Sequence, residues 1–504
     1  MVQLSLGDDM NLQATRQAKT KYGIVEGLHG QNPATTVFKG VPYAAAPVGE
    51  LRFKDPIFPT PWDGVKYCYK YSPAPVQGQP SKGSFYQKEF YPVDRDISED
   101  CLYLNIWTPA KSDEERLPVM VWFHGGAFMG GSADEITFDG EAFAKRGVIL
   151  VTVNYRLGIF SSFVSIENDV RGNFGSKDQH LSLEWVKENI AAFGGDPDNV
   201  TIFGQSAGAL SVQVLLSSEK SRGFISKAII QSAGGAMSIS GYRTLEKADE
   251  DCKKFMKESG VSFKELCEMD ALTLHNTYAK YGYINPYPNI DGDFLKDSPG
   301  NFVRRGELPD IPYMIGTVVG DWFFKTIKKT ENYQDALVEA KKYLGDESDA
   351  FVEKFLKDEK CFEDFSNSLQ LTQCVGAAES FAKCKKGTAP VYTYHFNRTL
   401  PDENGLKGYH SFELWYVFGT IQHSNRNLTG VDYDLSNMMT DYWCSFAKTS
   451  NPNEGIGKNP IWEAYCKETK QTLVINENGV FNSSFSKDEI LDYLTDFEVK
   501  RLEI

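Results

Sequence analysis

The stretch Thr201-Ile-Phe-Gly-Gln-Ser-Ala-Gly-Ala-Leu210 sets two glycines around one serine, directly after an apolar run. Gly204 and Gly208 have no Cβ, so backbone can pass close to the serine from both sides. Thr201-Ile-Phe203 reads as the end of a buried strand, and Ala209-Leu-Ser-Val212 as the start of a helix. Gly-x-Ser-x-Gly at a strand-to-helix turn holds its serine in a strained backbone with the hydroxyl exposed. The pattern alone is weak, because at ordinary Gly and Ser frequencies a chain this long meets it by chance roughly one time in five. A flexible loop serine is the plainer account of Ser206. An oxyanion-binding loop, an acid and a histidine are needed to displace it.

Outward from this turn, short apolar runs alternate with longer helical patterns. Val119–Phe123, Val148–Val153, Val200–Phe203, Ala228–Gln231, Tyr313–Thr317, Val391–Tyr394 and Thr472–Ile475 read as strands. They are apolar throughout rather than alternating, which points to a sheet covered on both faces. Leu183, Val186, Ile190 and Phe193 recur at helical spacing and predict an amphipathic helix over 181–193. Strand–helix–strand succession makes a mostly parallel α/β sheet with flanking helices. Residues from about 240 to 385 are helix-rich and charged and read as an insertion or cap on that sheet. No linker isolates them, so residues 1–504 read as one domain.

The 504 residues carry 68 acidic and 53 basic side chains, a net charge of −15. That excludes nucleic acid and anionic membrane as partners, which demand clustered Lys and Arg. No apolar run is long enough to span a bilayer, and the first residues lack the apolar core of a signal peptide. A cytoplasmic protein is the expectation. The nine cysteines are thinly spread with no Cys-x-x-Cys pair, so neither a disulfide scaffold nor a metal site is expected.

Phe123-His-Gly-Gly-Ala-Phe128 follows the first strong strand. Consecutive glycines there let backbone N–H groups point into a cavity and receive a developing oxyanion. Read alone it is equally an ordinary glycine turn.

Further segments are Phe38-Lys-Gly-Val-Pro-Tyr43, Pro47-Val-Gly-Glu-Leu-Arg-Phe53, Ser98-Glu-Asp-Cys-Leu-Tyr-Leu-Asn105, Asn154-Tyr-Arg-Leu-Gly158, Gly172-Asn-Phe-Gly175 with Asp178-Gln179, and Phe193-Gly-Gly-Asp-Pro197. With these the chain resembles the type-B carboxylesterase and cholinesterase family from about residue 20 to its end. The resemblance implies an α/β-hydrolase fold and a serine esterase that hydrolyses carboxylic esters through an acyl-enzyme, without cofactor or metal. It implies Ser206 as nucleophile and His410, in Gly408-Tyr-His-Ser-Phe-Glu-Leu414, as base. The oxyanion hole falls to Gly125, Gly126 and Ala207. Ser232 matches a second family serine near the acid, in a supporting role, although a plain strand-end serine reads nearly as well.

The acid is where the chain departs from the family. Gly316-Thr-Val-Val-Gly-Asp-Trp322 places Asp321 where the family has glutamate, with Gly320 before it and Trp322 replacing a glycine after it. Either acid serves a serine–histidine pair across hydrolases. Glu413, three residues after His410, is the rival acid, but the family places that glutamate outside the triad. The resemblance also carries over ion pairs Arg52–Glu99 and Arg156–Asp178, and a pairing of Cys68 with Cys101, as thiols in a reducing cytosol.

Residues 69–100 contain no tryptophan. The cation–π contact that holds choline esters in the family's cholinesterases is therefore missing from that loop, and a general carboxylesterase of microbial type fits better. Two other readings stand beside it: a non-catalytic adhesion or scaffold protein of the same family, and a lipase.

Overall fold

The computed structural model describes residues 16–90, 95–235, 241–319, 321, 332–356, 375–400, 408–484 and 489–501. Among the described residues, thirteen strands form one sheet: β1 (Arg16–Lys19), β2 (Ile24–His29), β3 (Thr36–Pro42), β4 (Val65–Tyr67), β5 (Tyr103–Thr108), β6 (Leu117–Phe123), β7 (Ile149–Val153), β8 (Gly195–Gln205), β9 (Lys227–Gln231), β10 (Tyr313–Val318), β11 (Val391–Phe396), β12 (Gln471–Asn476) and β13 (Gly479–Ser484). Their order is β1-β2-β3-β5-β7-β6-β8-β9-β10-β11-β12-β13, with β4 beside β2. From β7 to β12 every neighbour is parallel, and the two ends of the sheet are antiparallel apart from β4, which runs parallel to β2.

Why the central strands carry continuous apolar runs is visible in β6. Val119, Val121 and Phe123 enter one core, whereas Met120 and Trp122 enter the other. Ala228 and Ile230 divide from Ile229 in the same way. Successive side chains point to opposite faces, so a strand covered on both sides has no polar position to spare. One core is closed by helices α2 (Phe174–Asn189) and α3 (Ala207–Ser217), the other by α4 (Glu413–Val417) and α5 (Gly430–Thr449).

The helix read from 181 begins at Phe174 and ends at Asn189, with one 3₁₀ turn over Ile190–Phe193. Buried polar residues hide its first turns from the apolar pattern. Asp178 is fully buried and takes the Arg156 guanidinium in two hydrogen bonds, 2.8 Å from Nε and 2.6 Å from Nη2. Gln179 donates to Ser211 of α3 at 2.9 Å. Arg52 donates to Glu99 at 2.7 Å through Nε, and its Nη1 reaches the carbonyls of Leu266, Cys267 and Met269. Both carried-over ion pairs are therefore formed and mostly buried, where either charge left alone would cost several kcal/mol.

Described helices run through the 240–385 stretch, but strand β10 lies inside it and separates them into groups. The helices over 245–281 pack with Ile159–Phe174 in a satellite core, and Tyr333–Phe355 packs with the helix Glu489–Arg501 in another. Cys68 and Cys101 are both free thiols buried in one core. The Cys68 carbonyl accepts from Lys39 N of β3, and the Leu102 carbonyl, beside Cys101, accepts from Tyr43 N just after that strand. Burial pushes the Cys68 thiol up to about 12 and Cys101 well above its ordinary value. Both stay protonated and unreactive.

Candidate functional site

The opening stretch folds because of its two glycines. A Cβ on Gly208 would stand 1.9 Å from the Phe123 carbonyl oxygen, and one on Gly204 would stand 2.4 Å from Gly208 backbone. Strand β8 can then pass directly into α3, with Ser206 between them at φ 57° and ψ −125°. For a non-glycine residue this is a costly conformation, of a kind that persists where the surroundings impose it. Here Ser206 N donates to Gln231 O at 3.0 Å, and Leu210 N closes the first turn of α3 on Ser206 O at 3.0 Å.

The loop after β6 is strained in the same sense. Gly126, Ala127 and Phe128 all have positive φ, at 108°, 55° and 58°. The Gly126 carbonyl accepts from Met129 N and Gly130 N, which folds the loop back on itself. A Cβ on Gly125 would come within 3.1 Å of the Ser206 Cβ, so this glycine lies directly against the elbow. Ala207 is the first residue of α3, where a helix N–H has no partner of its own. His124 is buried, stacks on Tyr155 at 4.4 Å, and holds the Gly125 carbonyl at 2.8 Å through Nδ1. Burial pushes it down to about 4, so it is neutral near pH 7 and acts as a strut of the loop.

Asp321 follows β10, with its N–H on the Val318 carbonyl and its Oδ2 accepting from Val318 N at 2.9 Å. Its Oδ1 lies 2.7 Å from His410 Nδ1, and its side chain is wholly buried. The shorter acid thus reaches the imidazole without a loose contact. Gly320 and Trp322, the residues around it that depart from the family, lie outside the described residues. Gln205, immediately before Ser206, places its amide nitrogen 3.2 Å from His410 Nε2 and 3.4 Å from Nδ1. That contact brings the ring to the elbow. Sequence reasoning does not single out Gln205, although it stands inside the motif itself.

Ser232 has a left-handed φ of 53°, and its hydroxyl lies 3.5 Å from Glu413 Oε1. Its side chain thus meets the rival acid, while Asp321 is taken up by His410 and Val318 N. Gln231 Nε2 also meets Glu413 Oε1 at 3.5 Å, and Trp443 Nε1 donates to Gln231 Oε1 at 3.2 Å. Apart from Ser232 and Glu413, sequence reasoning misses this polar layer under the histidine. Its members come from β9, α4 and α5, and no local pattern links them. His395 is buried in β11 and pushed down to about 4 by burial.

Glu413 is fully buried. Burial first, and the Asp321 charge second, push its carboxyl up from 4.5 to about 8. It is protonated at neutral pH. The unfolded chain ionises this group near its ordinary value. Between about pH 4.5 and about pH 8 it therefore binds fewer protons than the native state, and stability falls as pH rises through that window. Full transfer of the shift would be worth roughly 5 kcal/mol. Glu413→Gln removes the titration. Wild type is expected to lose several degrees more melting temperature between about pH 5 and about pH 8 than this variant. Parallel melting curves across that range would refute the assignment.

The chain matches the model of the Carboxylesterase family over residues 14–491. It is 33% identical over 487 residues to the para-nitrobenzyl esterase of Bacillus subtilis (strain 168), covering 91% of this chain and 94% of that one. It is 31% identical over 521 residues to the bile salt-activated lipase of Bos taurus, covering 92% of this chain and 84% of that one. Among solved structures, a PNB esterase superposes with a TM-score of 0.80 at 30% identity, covering 95% of this chain and 99% of the other.

Proposed function

Because the chain belongs to the carboxylesterase family and is a serine hydrolase of carboxylic esters, we propose that Ser206, His410 and Asp321 carry that reaction and that Gly125, Gly126 and Ala207 form its oxyanion hole. The observation that supports this most is the 2.7 Å contact from Asp321 to His410 Nδ1, on a ring that also touches the residue beside Ser206.

In this reading Ser206 Oγ attacks the ester carbonyl carbon while His410 Nε2 takes its proton. Asp321 holds Nδ1–H, which fixes the tautomer and steadies the imidazolium. The three backbone N–H groups receive the carbonyl oxygen as it becomes negative. Collapse expels the alcohol, protonated by His410, and leaves an acyl-serine. Water then enters, gives its proton to His410, and releases the acid. These side chains and water carry each step.

Substrates are read as uncharged esters, since no tryptophan in 69–100 offers a face to a quaternary ammonium. We also propose one domain over residues 1–504, because the helices of 240–385 surround a strand of the main sheet. We propose a cytoplasmic setting as well, in keeping with nine thinly spread cysteines that hold no Cys-x-x-Cys pair. No described helix is long and apolar enough to cross a membrane.

The test is covalent. An aryl organophosphate should abolish turnover and add one phosphoryl group per chain, recovered by mass spectrometry on the peptide containing Ser206. Full activity after treatment, or a label on another serine, would overturn the assignment. An inert scaffold of the same fold would not react.

A further inference from the structure

A buried carboxylate distant from the site in sequence is tied to both sides of His410. Helix α1 (Phe85–Glu89) is a short surface element, capped by Ser84, with Phe85 and Tyr86 partly exposed. Its last residue, Glu89, has a side chain only 2% exposed. Taking a carboxylate out of water is costly unless donors replace the water. Three do. Glu89 Oε1 accepts from the Tyr409 hydroxyl and from Trp415 Nε1 at 3.2 Å, and Oε2 accepts from Arg426 Nε at 3.1 Å.

Two of these donors bracket the histidine. Tyr409 immediately precedes His410, and Trp415 lies on α4, which begins three residues after it. The turn between them is under strain, with Ser411 at φ 78°. Backbone hydrogen bonds anchor it, from Gly408 N to Arg398 O at 2.7 Å and from Phe412 N to Tyr409 O at 2.9 Å. A non-glycine residue stays in such a conformation only where its surroundings hold it. Ring contacts add to the clamp. Phe85 meets Tyr409 edge-on at 4.9 Å, Phe90 stacks on Trp415 at 6.2 Å, and the Arg426 guanidinium lies over both Phe85 and Tyr409.

We propose that Glu89 is a positioning residue for the reaction: its carboxylate fixes the Tyr409–Trp415 turn so that the His410 imidazole is held between Asp321 and Ser206. Glu89 touches neither ring nitrogen and acts through Tyr409 and Trp415. The inference rests on the reading of His410 as base. Without the clamp the turn relaxes, and a displacement of the ring by about 1 Å is enough to cost on the order of a hundredfold in rate. Substrate binding should change little, because Glu89 acts on the turn that carries His410.

The variants Glu89→Gln, Tyr409→Phe, their double mutant and His410→Ala are assayed with a p-nitrophenyl ester, alongside melting curves. Glu89→Gln keeps the shape, but its amide must turn N–H groups either to Arg426 or to the Tyr409 and Trp415 donors. The expected result is a roughly ten- to hundredfold fall in kcat per folded molecule with KM within about threefold. Tyr409→Phe should fall in the same direction, and the double mutant should be no worse than the worse single, as for residues acting in one chain. A folded Glu89→Gln enzyme with kcat within about twofold of wild type overturns the proposal, as does a rise in KM at unchanged kcat. If Glu89→Gln does not fold, Tyr409→Phe decides: a fall in kcat of about fivefold or more supports the clamp, and a smaller change overturns it. His410→Ala separates the two readings. Retained turnover there means His410 is not the base, whereas a dead His410→Ala beside normal Glu89 and Tyr409 variants refutes only the clamp.

Discussion

Ser206→Ala is expected to lose at least roughly 10⁴-fold in turnover while its melting temperature stays within a few degrees of wild type. With the proposed nucleophile gone, the oxyanion donors proposed at Gly125, Gly126 and Ala207 would alone leave only residual catalysis. Alanine keeps the Cβ, so it fits the elbow no worse than serine, and Gly204 and Gly208 still provide the close passage of β8, α3 and β6. The measurement is steady-state hydrolysis of a p-nitrophenyl ester by the purified variant, with far-ultraviolet melting as the control on folding. A variant that keeps a tenth of wild-type turnover would rule out Ser206 as nucleophile.

Asp321→Asn should cost at least roughly a hundredfold in turnover, with little change in stability. The amide retains the size of the carboxylate and can still accept from Val318 N. It removes the charge that steadies the imidazolium, and it offers N–H where His410 Nδ1 must donate, which favours the wrong tautomer. Glu413→Gln is the partner experiment. Because Glu413 is already protonated at neutral pH, glutamine replaces one neutral group by another of the same shape, and turnover should stay within about tenfold of wild type. A normal Asp321→Asn enzyme beside a crippled Glu413→Gln enzyme would transfer the role of acid to Glu413.

The parts of the site that sit on contiguous motifs are legible in the amino-acid sequence itself. Gly-x-Ser-x-Gly states its own geometry, because the glycines are required by backbone atoms of β6 and α3 that any such turn must approach. His-Gly-Gly after β6 is a local statement in the same way. The seven central strands are legible because they are buried on both faces, so each carries a run that is mostly apolar. The end formed by β1 to β5 is not. Its strands are short and mixed, as in Arg16–Lys19 and Val65–Tyr67, and their partners are set by distant backbone rather than by their own pattern. The first turns of α2 escape for another reason: Asp178 and Gln179 break the apolar period and are buried only because Arg156 and Ser211 meet them there.

The roles of Ser206, His410 and Asp321 are nominated by the family resemblance; from residue order alone come the serine turn, the glycine-rich loop and the parallel sheet. Each depends on local backbone geometry or on one-dimensional apolar spacing, and both are written in neighbouring residues. Tertiary structure alone decides how the acids differ. Asp321 and Glu413 are both carboxylates near His410, yet one is bound to Nδ1 and the other is buried against Ser232 and Gln231 with its proton retained. Tertiary structure alone also joins Glu89 to Tyr409, 320 residues apart. Protonation state and hydrogen-bond partner depend on the local dielectric and on charges brought close by folding, and separation along the chain carries no record of either.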